Sequence, residues 1–112
     1  MVEAVNFEKA HALDRFLRNP YDAQIIHELK KYYTMKTLVV KSKSDKFNLE
    51  IDMKTLDGNF RRVVIKKKIE LFQINLPAGE RYSVKALRTD FLFFKKIESK
   101  EIVLKDDTEL EF

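Results

Sequence analysis

Cysteine is absent from this 112-residue chain, and glycine, proline and histidine occur only twice each. Without cysteine there is no disulfide framework, no thiolate zinc or iron–sulfur site and no thiol nucleophile, and the chain suits a reducing compartment. Two glycines cannot form a phosphate-cradling glycine-rich loop. Two histidines, neither near a strand-to-helix elbow, give no basis for a Ser/His/Asp arrangement. No window approaches the roughly 18 uninterrupted apolar residues that cross a bilayer. The first residues carry Glu3 and Glu8 where a secretory signal would have a basic segment followed by an apolar run. A cytoplasmic protein with no membrane partner is expected.

What is present is enough for one core: 45% apolar and 12% aromatic residues, including nine Phe and four Tyr. A single domain over residues 1–112 is expected, with a helical portion at 1–34, a sheet portion at 35–105 and an acidic tail at 106–112. The net charge of +4 is unevenly spread. Residues 1–34 balance, whereas residues 35–68 hold ten basic groups against four acidic ones, and Asp106, Asp107, Glu109 and Glu111 crowd the end.

Asn6 is placed to cap a first helix, with Phe7, Ala10, Leu13 and Leu17 at helical spacing and Phe16 widening the stripe. Asn19-Pro20 ends that helix and opens a second, with Asn19 as cap, Pro20 in the first turn and Ile25, Ile26, Leu29, Tyr32 and Tyr33 on its apolar face. From Met35 the period changes. Thr37 to Lys41 reads as a strand, and Phe47, Leu49, Ile51 and Met53 alternate with polar residues as a strand with one wet face.

A three-residue loop at Asp57-Gly58-Asn59, with Asn59 left-handed, gives the following strand the most consistent register. Met53 then faces Val63, Ile51 faces Ile65 and Phe47 faces Ile69, while Glu50 meets Lys66 and Asn48 meets Lys68 on the wet face. The apolar parity flips at Leu71 and Phe72, which predicts a break in pairing there. Leu76-Pro77-Ala78-Gly79 reads as a turn. Residues 80–98 read either as two strands, the preferred reading, or as a helix through Val84, Leu87, Phe91 and Phe94. A last strand through Ile102 to Leu104 is followed by an edge or frayed end. The expected class is α+β: a pair of short helices packed on a mainly antiparallel sheet of about five to six strands.

No constellation completes a catalytic or metal site, and neither a cofactor nor a metal is expected. Glu8 and His11 form a Glu-x-x-His, but the second helix offers only the divergent pair His27-Glu28. Were residues 80–98 helical, the element order would be that of a degenerate restriction-endonuclease-like core with Asp52 as its first acid. Its third strand, Val63 to Lys68, lacks the acid that a metal needs. The chain is therefore expected not to be an enzyme.

The strongest functional signal is the basic segment. Lys41, Lys43, Lys46, Arg61, Arg62, Lys66, Lys67 and Lys68 are the expected phosphate contacts of a small regulatory or accessory protein, of phage type in composition, that binds DNA or RNA. The competing reading is a protein-interaction module, inhibitor or homo-oligomer that uses a strand edge or the Phe91 to Phe94 cluster. A solvated strand face with cross-strand ion pairs is the plain structural alternative for the lysines.

Overall fold

The computed structural model describes residues 2–55, 58–89 and 95–112, with side chains from residue 7 onward. The protein is α+β, and the chain divides into two compact units, Met1–Thr34 and Met35–Phe112. The division falls where the apolar period changes from helical to alternating.

The first unit contains α1 (Val2–Arg18) and α2 (Ala23–Leu29). Helix α1 starts before Asn6, so Asn6 is not its cap. It ends where the Asn19 N–H bonds the Arg15 and Phe16 carbonyls, both at 3.1 Å, ahead of Pro20. The cap of α2 is Asp22, not Asn19. Its carboxylate accepts from the N–H groups of Gln24 (2.9 Å) and Ile25 (3.1 Å), satisfying two donors of the first turn. Residues 20 and 21 form a separate turn, which is why the expected helix start moves three residues on. The buried stripe of α1 is Ala12, Phe16 and Leu17; Phe7 is 74% exposed and stacks on His11 instead. Side-chain contacts tie the helical unit together, among them the Tyr32 hydroxyl donating to Glu8 at 3.1 Å and the Lys9 ammonium 4.6 Å over the Tyr33 ring.

The second unit has seven strands among the described residues: β1 (Met35–Lys41), β2 (Phe47–Lys54), β3 (Phe60–Ile69), β4 (Leu71–Pro77), β5 (Arg81–Thr89), β6 (Lys95–Val103) and β7 (Thr108–Glu111). They form two sheets, where the sequence suggested one. One has the order β4-β1-β7, with β1 antiparallel to β4 and parallel to β7. The other, β3-β2-β5-β6, is antiparallel throughout. The parity flip after Ile69 is where the chain leaves one sheet and enters the other. Residues 81–89 and 95–103 are strands, so the endonuclease-like element order is absent; Phe91 to Phe94 lie outside the described residues. The acidic end is an edge strand, β7.

The β2–β3 register agrees with the expectation only at Phe47 and Ile69. Irregularities between Phe47 and Leu49 and between Ile51 and Asp52 shift the rest. Ile51 lies opposite Val64, Met53 opposite Arg61, Glu50 opposite Ile65 and Leu49 opposite Lys66. At the first irregularity Lys68 has a left-handed backbone, φ 53, and its N–H donates to Asn48 Oδ1 at 3.0 Å. At the second, the neighbours Val63 and Val64 are both buried. Regular alternation forbids that, whereas a bulge turns consecutive residues to one side. At the turn, the Thr55 N–H donates to the Asn59 carbonyl at 2.8 Å, closing the ladder one residue earlier than expected. Gly58, at φ 86, takes the left-handed conformation assigned to Asn59. Leu56 and Asp57 lie outside the described residues.

The core of this unit draws on both sheets: Leu38, Val40, Ile74 and Leu76 from one, and Leu49, Ile51, Val84 and Ala86 from the other, all buried. Burying each large aliphatic side chain contributes about 1.5–3 kcal/mol. Phe47 meets Phe112 at 6.2 Å between ring centroids, and the buried Tyr82 hydroxyl donates to the Pro77 carbonyl at 2.7 Å, so both sheets are cross-tied. No helix among the described residues is long and apolar enough to cross a membrane.

Candidate functional site

Strand order gathers one set of basic residues at one end of the strand unit and leaves another set apart. The end of β1 at Lys41 lies opposite Leu71, the start of β2 at Phe47 lies opposite Ile69, and the Ser42 N–H donates to the Glu70 carbonyl at 2.8 Å. The connection 42–46 therefore meets the end of β3, where Lys67 and Lys68 are exposed. Because β2 also pairs with β5, and β5 with β6, Asn48 aligns with Leu87 and Leu87 with Ile97. Arg88, Lys95 and Lys96 thus come to the same end, and the polypeptide after β7 brings Phe112 there.

Arg61 and Arg62 stand at the other end of β3, about 20 Å from Lys68 at the rise of a strand. Arg62 is committed elsewhere. Its Nε bonds Asp52 Oδ1 at 2.6 Å and its Nη1 lies 3.5 Å from Glu50. The hydrogen bond that Arg62 donates to Asp52 holds the guanidinium above its ordinary pKa, so it stays charged and occupied. Lys41 pairs with Glu109 at 3.3 Å, and the half-buried Lys66 holds its ammonium 5.9 Å from the Phe72 ring. Of the eight predicted contacts, Lys43, Lys46, Lys67 and Lys68 are brought to one end with their ammonium groups in no ion pair among the described residues.

Lys43 and Lys46 line an open cleft of about 590 Å³ together with Ser44, Asp45, Arg88, Thr89, Lys96, Glu98 and Phe112. Lys96 lies 3.8 Å from Glu98, and Arg88 Nη1 lies 3.6 Å from the same carboxylate, so that acid is shared by two cations. The chemistry is that of an anion receptor with a positive excess. The lining holds neither histidine nor cysteine. Phe112 is only 2% exposed, so among the described lining residues there is no open ring face for stacking. Among the described residues no group of three or more His, Cys, Asp or Glu could hold a metal. The Glu8 and His11 pair is engaged otherwise, Glu8 with Tyr32 and His11 against Phe7.

Arg88 and Lys96 were not among the residues singled out from sequence. A signal for Arg88 exists: it continues the alternation of Tyr82, Val84 and Ala86, all buried, so it had to point into the protein. Comparisons of the chain with protein-family models, with curated proteins and with solved structures find no match.

Proposed function

We propose that this protein is a non-enzymatic accessory factor that binds nucleic acid through its phosphates, at the end of the strand unit built by the 42–46 connection and the neighbouring ends of β3, β5 and β6. The observation that carries this reading is the convergence of Lys43 and Lys46 on one cleft, without ion-pair partners among the described residues, beside the exposed Lys67 and Lys68. Unpaired ammonium groups on neighbouring elements repel one another, and a polyanion relieves that repulsion while releasing its own counterions. Because the described lining of the cleft presents cations and no open aromatic face, the reading is one of backbone and not base recognition.

The reading as an edge-docking module has less support. Strand β3 carries two irregularities, and the β6 strand at the other edge is lined by the exposed Lys95, Lys96 and Lys100. Bulges and lysines on edge strands are devices by which sheet edges avoid further pairing.

Fluorescence anisotropy with labelled single-stranded and duplex oligonucleotides of unrelated sequence tests the proposal. At physiological salt the expected result is binding with a Kd on the order of 10⁻⁴ to 10⁻⁶ M, indifferent to sequence, tighter at low salt and weakened steeply by added salt. Failure to bind any of them at low salt refutes it.

A further inference from the structure

Resting on the nucleic-acid reading of the cleft, we infer that Arg88 is the positioning residue of the site: it holds the 42–46 connection in the conformation that presents Lys43 and Lys46, without itself contacting the ligand. An arginine on the core-facing side of a central strand must find hydrogen-bond partners or forfeit its solvation. Arg88 finds hydrogen-bond acceptors for Nη2 on two other segments and an ion-pair partner for Nη1 on a third, while its buried Nε has no partner among the described residues. Its Nη2 donates to the Ser42 hydroxyl at 3.1 Å and to the Phe112 backbone oxygen at 2.8 Å, and its Nη1 faces Glu98 on β6. The guanidinium carbon lies 5.4 Å from the centre of the Phe47 ring, and the side chain is only 16% exposed.

The atoms that Arg88 grips are those that shape the connection. Ser42 Oγ also donates to the Asp45 carbonyl and accepts from the Ser44 N–H at 3.2 Å. The Phe112 backbone oxygen also accepts from the Lys43 N–H at 2.8 Å. One planar fork therefore secures both anchor points of a segment that contains neither proline nor glycine and carries lysines of like charge. A lysine in its place keeps the charge but has a single ammonium, and cannot satisfy Ser42, Phe112 and Glu98 in the same geometry.

Arg88→Lys tests this through two readouts. In amide hydrogen exchange, the Lys43 and Ser44 N–H groups are expected to lose protection together, while core amides such as those of Ile51 and Val84 keep theirs. In anisotropy, affinity is expected to fall about tenfold; with Arg88→Gln, which removes the charge as well, the slope of log Kd against log salt is expected to stay at the wild-type value, because Arg88 neutralises no phosphate. Unchanged protection of Lys43 and Ser44 overturns the inference, whether or not the wild-type protein binds nucleic acid. A salt slope reduced by Arg88→Gln as far as by Lys46→Gln overturns it too, by making Arg88 a direct contact. Absence of wild-type binding is a different failure, that of the nucleic-acid reading.

Discussion

The Tyr82 hydroxyl is buried and has its bond to Pro77 as the tie between two sheets, so at the scale of single residues it carries a definite cost. Tyr82→Phe removes a donor and leaves a carbonyl under-satisfied. The expected loss is about 1–3 kcal/mol in denaturant-derived stability, with the fold retained. In the helical unit the bond from Tyr32 to Glu8 gives a pH signature. The hydroxyl donates to a carboxylate, which, with lesser contributions from desolvation and charge, raises its pKa above 10.0. The folded state favours the protonated phenol, so this contribution to stability is complete below pH 10 and is lost as pH rises through the higher folded value. Phenolate absorbance should therefore place Tyr32 above the ordinary range, and Glu8→Gln should bring it down. Neither contact was legible in the sequence, because each joins residues whose proximity is set by the fold. The inward direction of Arg88 was legible from its parity with Tyr82, Val84 and Ala86.

Among elements, the wet-and-dry alternation of Phe47 to Met53 predicted β2 correctly because a half-buried strand needs no information from its neighbours beyond which face is covered. Its pairing with β3 was not legible beyond Phe47 and Ile69. Bulges are chosen by what packs across the sheet, and Val63-Val64 offered two apolar neighbours where strict alternation admits one. The same limit applies to α2: Asn19 and Asp22 are both good caps by composition, and the turn after Pro20 decided for Asp22. Asp22→Ala should cost about 1 kcal/mol, read as a shift in the denaturation midpoint at unchanged slope. At the β2–β3 irregularity, Lys68 holds a left-handed backbone that costs a side-chain-bearing residue about 1–2 kcal/mol. Replacing it with glycine removes that strain but adds about 0.5–1 kcal/mol of chain entropy. Lys68→Gly is therefore expected to raise stability by up to about 1 kcal/mol, whereas Asn48→Ala, which removes the side chain that accepts from Lys68, should lower it.

Over the whole molecule, the uneven charge visible along the chain becomes a polarity of the strand unit only through strand order. The basic run from Lys41 to Lys68 looked like one surface. The fold divides it, because β3 runs the length of its sheet: Arg62 is consumed by Asp52 and Glu50 at one end, while Lys67 and Lys68 meet the 42–46 connection at the other. Lys96, distant in sequence, joins them because β6 lies beside β5. Half of the candidate site was thus visible as charge, and the other half depended on pairings no local pattern specifies. The direct test is the salt dependence of nucleic-acid binding for the wild type, for Lys43→Gln with Lys46→Gln, and for Lys36→Gln with Lys54→Gln, which remove the same charge from the opposite end. The expectation is that the first pair lowers the slope of log Kd against log salt by about 2, while the second leaves it near the wild-type value. Equal loss from both pairs would show attraction to net charge alone and contradict a located interface.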